Sequence, residues 1–177
     1  MESCRAILIQ HSRWSETSLL VTWLTDRFGT LRTAARGALR PGSAFHGKLD
    51  LFHQCEISLT LSRTTTLHSL REVALIRPFS PVCASYAAMA LASYFAELGA
   101  ALAPPMQAAP EFHDLLTRAL DHLTQAPPTH KALLHFESEA ARLSGVLDSR
   151  GQTPPASALA RLCGGLPASR QTALKAL

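Results

Sequence analysis

The sequence lacks the short motifs that mark several common catalytic sites. It contains no GxSxG nucleophile turn, no GxxxxGK[ST] phosphate loop, no HExxH pair and no cysteine paired with a base. The run Ser15-Glu16-Thr17 has the composition of a catalytic cluster, but its hydroxyls are of the kind that satisfy the backbone of a turn. We therefore expect a protein that is not an enzyme.

The spacing of metal ligands is missing as well. The cysteines are scattered, with no CxxC pair and no histidine at ligand spacing beside them. This pattern predicts reduced thiols, no metal site and no cofactor. The four cysteines are Cys4, Cys55, Cys83 and Cys163.

The first residues show no basic stretch followed by a long apolar core, so we expect no leader peptide. The most apolar run, residues 84–102, is rich in small residues and contains Ser93 and Glu97. We expect a buried helix there and a cytoplasmic protein without membrane contact.

Positive charge is concentrated in the first half of the chain. Residues 1–78 hold ten lysines and arginines against six acids, whereas the remaining residues hold seven of each. The net charge of +4 therefore resides in the N-terminal part. Such an asymmetry fits an anion-binding module joined to a neutral one, although ordinary proteins also show it by chance.

The first 80 residues predict five short strands. Apolar and polar residues alternate there with the period of half-buried strands. Five strands, with a glycine-bearing stretch after the third, suit a partly open Greek-key OB barrel, and an SH3-like barrel fits the count nearly as well. The predicted strands are residues 5–10, 18–25, 31–38, 51–61 and 67–75.

The pattern turns helical after the two prolines of residues 77–81. Apolar residues then recur at steps of three and four. We predict an α+β fold in which an N-terminal five-stranded OB-type β-barrel, residues 1–79, precedes a small α-helical domain, residues 80–177. The predicted helices span residues 83–102, 111–124 and 129–147, followed by a loop at 148–155 and one or two short helices within 156–177.

Several motifs together carry a family resemblance. Within the first 40 residues they are HSRWSETS (residues 11–18), TDRFG (25–29) and ARGALR (35–40), and DLF (50–52), LRE (70–72) and HFE (135–137) extend the match to about residue 147. On these motifs the chain resembles the RecO family, as a short member. It differs in ending where relatives continue with more helices and in lacking the four-cysteine zinc loop of some of them.

The resemblance implies a function and partners. RecO-like proteins are DNA repair and homologous recombination mediators that bind single-stranded DNA, promote strand annealing and assist recombinase loading on DNA coated with single-strand-binding protein (SSB). The implied partners are single-stranded DNA, with double-stranded DNA left open, RecR, the C-terminal tail of SSB and, indirectly, the recombinase. The implied location is the nucleoid within the cytoplasm. The alternative is a protein-interaction adaptor that docks RecR or SSB and binds little DNA itself.

A run of basic residues supplies the candidate DNA contacts. No acid lies between Asp26 and Asp50, and in a strand Arg32 and Arg36 would share one face about 13 Å apart. Such a row can follow a phosphate backbone, although a solvated basic surface is the plainer interpretation without the resemblance. Phe45 is the preferred base-stacking residue. The candidate nucleic-acid-binding residues are Arg13, Arg27, Arg32, Arg36, Arg40, Phe45, Lys48 and Arg63.

The resemblance also implies a partner-binding pocket in the helical part. RecO relatives hold the acidic, apolar SSB tail in a pocket with cationic residues. Leu134-His135 stands where the family has a basic residue before Phe136-Glu137. Lys131, His135 or Arg142 would therefore have to bind the carboxylates of the tail.

Overall fold

Five β-strands close into a barrel in the computed structural model of the chain, which describes residues 1–147 and 153–177. They are β1 (Glu2–Arg13), β2 (Leu19–Thr25), β3 (Gly29–Ala35), β4 (Gln54–Thr60) and β5 (Leu67–Arg77). Neighbouring strands are antiparallel except β3 and β5, which run parallel. The order around the barrel, β1-β2-β3-β5-β4, confirms the predicted OB-type barrel.

Side chains at alternate strand positions fill the barrel. Cys55, Ile57 and Leu59 on β4 are buried, as the period-two pattern predicts, and the residues between them are exposed or half-buried. Trp23 on β2 is the largest fully buried side chain, and its Nε1–H donates to Thr33 Oγ1 at 2.8 Å. Because apolar side chains occupy the interior, a ligand can bind only on the outside of the barrel or at its ends.

Several strand ends differ from the predicted ones. β1 extends three residues further at each end, and two other differences follow from local backbone geometry. β3 ends at Ala35 rather than at residue 38, since Gly37 has a φ of 70° and opens a turn in which Arg40 N donates to Gly37 O at 3.1 Å. β4 begins at Gln54 rather than at residue 51, since Phe52 has a φ of 63°, outside the range of extended strands.

The helices confirm the helical part of the prediction, with small shifts. A 3₁₀ turn at Ser80–Ala84 precedes the first helix, which therefore begins three residues later than predicted. The third helix is capped by Thr129, whose hydroxyl accepts from Ala132 N at 3.1 Å, and it ends four residues early, before Gly145 at a φ of 67°. The predicted loop at residues 148–155 lies largely outside the described residues. The helices are α1 (Tyr86–Leu102), α2 (Pro110–Gln125), α3 (His130–Leu143), α4 (Pro155–Cys163) and α5 (Ser169–Ala176).

α1 is the central helix of the helical part. It packs against α3 and α5, and α4 packs against α3. Phe95 of α1 stacks on Phe136 of α3 with ring centroids 4.1 Å apart. The nearly all-apolar composition of α1 is explained by this burial from several sides.

The start of β3 is bonded to the segment that follows α1. Thr30 N donates to Ala103 O at 3.1 Å, and Met106 N donates to Phe28 O at 2.8 Å. Gly29, between them, has a φ of 59°. The backbone of residues 103–107 therefore lies directly against Gly29.

We predict that Gly29→Ala lowers the free energy of unfolding by about 3 kcal/mol, because a Cβ there combines left-handed backbone strain with overpacking. The added atom would overlap Pro104 O and lie 2.8 Å from Gln107 O, and both are backbone atoms. Gly42→Ala is the matched control, since Gly42 has a φ of 72° and nothing within 4 Å of its Cβ position. Urea unfolding monitored by Trp23 fluorescence should give a loss of only about 1 kcal/mol for the control. Equal losses in the two variants would contradict the close contact at Gly29.

Contacts divide the chain into two units, residues 1–80 with 103–113 and residues 81–102 with 114–177. The first unit contains the barrel and the second contains most of the helical residues. Across residues 1–147 and 153–177, no helix is long and apolar enough to span a membrane, and no three potential metal ligands cluster. The assignment of a separate function to each unit stays a prediction.

Candidate nucleic-acid interface

One end of the barrel brings the turn between β1 and β2 beside the chain that follows β3. Leu39 N donates to Thr17 O at 2.9 Å, and Gly37 N donates to Ser18 Oγ at 3.3 Å. Between these segments lies a cavity of about 440 Å³, here named the Trp14 pocket. It is lined by Trp14, Ser15, Thr17, Ser18, Arg36, Gly37 and Arg40.

Hydrogen bonds hold the turn that carries Trp14. Trp14 N and Ser15 N both donate to Ser18 O, at 2.9 and 3.3 Å. Ser15 Oγ accepts from Thr17 N at 3.4 Å, which agrees with the predicted role of this serine in a turn. Thr17 takes part through its carbonyl, which accepts from the chain after β3. The polar run predicted to form a turn is thus tied to the barrel at both of its ends.

The arginines of the Trp14 pocket are available to a ligand. Arg36 and Arg40 are exposed, and so is Arg32 on β3. Within the described part of the chain, none of the three forms an ion pair or a side-chain hydrogen bond. A guanidinium group presents a planar fork of donors that matches the oxygens of a phosphate. The pocket therefore combines two exposed guanidinium groups with one aromatic ring.

Arg32 and Arg36 do not share one strand, on which the predicted row was based. That prediction needs both residues in one strand, but β3 ends at Ala35, and Arg36 lies in the turn opened by Gly37. Arg32 lies opposite Leu67 at the start of β5. Arg36 is instead grouped with Arg40 by the turn, an arrangement that strand periodicity does not predict.

Two other candidate arginines already have partners in the barrel. Arg27 donates from Nη1 to Ser3 O at 2.6 Å and pairs with Glu2 at 3.4 Å. Arg13 donates to the carbonyls of Ser15 and Glu16 at 3.3 and 3.1 Å. Both side chains therefore already use part of their donors within the protein, and the rest are left for a ligand.

The remaining candidates of the barrel lie outside the lining of the Trp14 pocket. Phe45 is half-buried and packs against the barrel core, so its ring is not a free stacking surface. Lys48 is half-buried, and its carbonyl bonds to His53 Nδ1 at 3.1 Å.

Arg63 is exposed in the turn between β4 and β5. It lies next to Ser62, whose N–H donates to the buried His68 Nδ1 at 3.1 Å. Burial lowers the pKa of His68, which favours the neutral ring that accepts this bond.

The helical unit contains a second cavity, of about 500 Å³, here named the helical pocket. Its lining includes the stacked Phe95 and Phe136 and carries basic groups on α2 and α3 without any carboxylate. The basic and imidazole side chains in the lining are Arg118, His122, Lys131 and His135.

Two of the three predicted partner-binding residues, Lys131 and His135, line the helical pocket. Arg142 does not, and it pairs with Glu139 at 2.9 and 3.3 Å. The bond from Arg142 lowers the pKa of Glu139. The sequence-based prediction omitted Arg118 and His122, although their spacing of four places both on one face of α2. Arg118 also pairs with Asp114 at 2.8 Å, so its charge is partly neutralised.

Phe45, the predicted stacking residue, lies in a loop between Gly42 and Gly47, and its ring packs against the core. Trp14 was not among the predicted contacts. The signal that could have found it is its polar context, because it stands between Arg13 and Ser15 with no apolar residue directly beside it in the sequence.

Comparison with known proteins gives the same family for both parts of the chain. Residues 1–79 match the family described as "Recombination protein O N terminal", and residues 83–147 match "Recombination protein O C terminal". A DNA repair protein RecO of Rhodopirellula baltica is 33% identical over 140 residues, which cover 79% of this chain and 52% of the relative. The RecO protein of Anaeromyxobacter dehalogenans strain 2CP-C is 31% identical over 141 residues, 80% of this chain and 56% of the relative. The chain thus spans about half the length of these curated relatives.

Proposed function

The chain belongs to the RecO family, and from that premise we propose that it is a DNA repair and homologous recombination mediator that binds single-stranded DNA through its barrel. In this role it promotes strand annealing and assists recombinase loading on SSB-coated DNA. The observation that carries the proposal is the pair of exposed arginines Arg36 and Arg40 beside Trp14 at one end of the barrel, neither of which has a side-chain partner among residues 1–147 and 153–177.

The chemistry of this end favours contact with the DNA backbone. Arginine forks bind phosphate oxygens, and each neutralised phosphate releases counterions, which supplies affinity that does not depend on sequence. Contacts of this kind leave the Watson–Crick edges of most bases free. A strand held in this way can still pair with a complementary strand, which is what annealing requires.

The helical pocket supports a second ligand, the C-terminal tail of SSB. An acidic, apolar peptide needs an apolar floor and nearby cations, and the pocket offers Phe95 and Phe136 with Arg118 and Lys131 around them. His135 also lines it. Binding of the tail there would bring the barrel to SSB-coated DNA, and RecR remains a further proposed partner.

The competing proposal is an adaptor that joins RecR or SSB and binds little DNA. Such a protein gains nothing from exposed arginines that pair with no carboxylate of the described residues. The exposure of Arg32, Arg36 and Arg40 therefore favours the DNA-binding function.

Titration of a fluorescently labelled single-stranded oligonucleotide with the protein, followed by anisotropy, separates the two proposals. We expect binding at low salt that weakens linearly in a plot of log affinity against log salt concentration. A peptide with the SSB tail sequence is titrated in parallel against the protein. Peptide binding without oligonucleotide binding at low salt would contradict the DNA-binding function and support the adaptor.

A further inference from the structure

Trp14 is exposed where the other aromatic residues of the barrel are not. Its side chain is 47% exposed, whereas Trp23 is 0% exposed and Phe52 is 1% exposed. Phe28 and Phe45 are half-buried and pack against the core. The indole thus leaves part of its ring open beside two exposed arginines, where a ligand with a flat apolar face can stack on it.

The backbone that carries Trp14 is fixed by hydrogen bonds before any ligand arrives. Its amide is bonded to Ser18 O, and the same turn is tied through Thr17 O to Leu39 N and through Ser18 Oγ to Gly37 N. A side chain on an anchored turn loses little conformational freedom on binding. Trp14 therefore suits a stacking platform better than a residue on a loose loop does.

The size and chemistry of the Trp14 pocket match one nucleotide. Its volume of about 440 Å³ lies within the range of small-ligand sites, about 300–1,000 Å³. The lining offers an indole for a base, two guanidinium groups for a phosphate and hydroxyl side chains for further polar contacts, and it contains no carboxylate. Charge complementarity thus selects an anionic ligand, and the indole selects one with an aromatic face.

We propose that the Trp14 pocket binds one unpaired nucleotide of a DNA strand, with the base stacked on Trp14 and the adjoining phosphate held by Arg36 and Arg40. This inference rests on the proposed DNA-binding function and adds a preference for single strands to it. In a duplex both faces of a base are covered by its neighbours, so the indole finds no free face. The arginines can bind the phosphates of single-stranded and of double-stranded DNA. Stacking on Trp14 is what distinguishes a single strand from a duplex.

The test compares Trp14→Ala, Trp14→Phe and Leu39→Ala for affinity to single-stranded and double-stranded oligonucleotides of equal length. We expect Trp14→Ala to weaken single-strand binding about tenfold, the usual effect of losing one stacked base, and to change duplex binding little. Trp14→Phe keeps most of the affinity because it keeps an aromatic ring. Leu39→Ala is the matched control, since Leu39 is an exposed apolar side chain at the same end of the barrel and does not line the pocket.

A second readout uses the two tryptophans of the chain. Trp23 is sealed in the core, so quenching by added oligonucleotide reports on Trp14. We expect the wild-type protein to be quenched by a normal single strand and not by an abasic strand of the same length, and Trp14→Phe to show no quenching. The abasic strand should also bind the wild-type protein about tenfold more weakly.

The outcomes distinguish this inference from the proposed function. Unchanged single-strand affinity in Trp14→Ala, together with equal binding of normal and abasic strands, would overturn the nucleotide pocket while DNA binding itself stood. Failure of the wild-type protein to bind any oligonucleotide at low salt would overturn both. Cooperative unfolding of Trp14→Ala at the wild-type urea midpoint shows that a loss of affinity is not a loss of fold.

Discussion

The double variant Arg36→Glu, Arg40→Glu should lose single-stranded DNA binding by roughly 100-fold at low salt while it remains folded. Two charge-assisted contacts to phosphate, each worth about 1.5 kcal/mol, disappear together and are replaced by repulsion. The fold should persist because both side chains are exposed and have no internal ion pair in the described residues. The affinity is measured by anisotropy, and the fold by circular dichroism and urea unfolding.

A control variant with the same change of net charge separates direct contact with DNA at the Trp14 pocket from the general attraction between a basic protein and DNA. Arg161→Glu with Lys175→Glu reverses two exposed charges in the helical unit, on α4 and α5. Long-range attraction depends on total charge and is screened by salt, so the control should lose only a few-fold in affinity. Equal losses in the two double variants would show that the Trp14 pocket is not the DNA site.

Glu137→Ala should have the largest effect on stability among substitutions in the helical unit. Glu137 is only 1% exposed, and its Oε1 accepts from Tyr94 OH and from Arg170 Nε, both at 2.6 Å. Burial and the bond to Glu137 raise the pKa of Tyr94, and the same carboxylate raises the pKa of Arg170. The carboxylate thus joins α1, α3 and α5 at one point.

Removing that carboxylate leaves a buried hydroxyl and a mostly buried guanidinium without their acceptor. Loss of one partner from a buried pair lowers stability by about 3–5 kcal/mol, and we expect the lower end here because the Arg170 side chain is 21% exposed and can be partly hydrated. Glu137→Gln keeps the shape and one acceptor, so it should lose less. Urea unfolding measures the loss of stability in Glu137→Ala and in Glu137→Gln.

Asp114→Ala provides the matched control for Glu137→Ala. Asp114 forms an ion pair with Arg118 at 2.8 Å, but both side chains are more than half exposed. Exposed pairs of this kind contribute less than about 1 kcal/mol. A loss for Glu137→Ala as small as that for Asp114→Ala would contradict the buried network.

The barrel and the order of helices followed from local sequence patterns. The alternation of Cys55, Ile57 and Leu59 predicted β4 correctly, and Thr129 before an apolar stripe predicted the start of α3. Such patterns are properties of single elements, and they are visible because each element buries one face. Strand ends set by Gly37 and Phe52 were predicted less well, since a positive φ depends on tertiary contacts.

The candidate site depended on pairings between distant segments, which one sequence does not show. Arg36 and Arg40 were identified by charge alone, but their grouping with Trp14 comes from bonds between the β1–β2 turn and the chain after β3. The role of Glu137 was hidden for the same reason, because its partners Tyr94 and Arg170 lie 43 and 33 residues away.

The most direct test of the account is the salt dependence of single-stranded oligonucleotide binding, compared between the wild-type protein and Arg36→Glu, Arg40→Glu. A protein that grips phosphates through these residues gives a negative slope in log affinity against log salt concentration, with a contribution of about 0.7 for each phosphate contacted. We predict that the slope of the double variant is shallower by roughly 1.4, the contribution of two phosphates. Parallel lines for the two proteins would contradict the account, because they would place the phosphate contacts elsewhere.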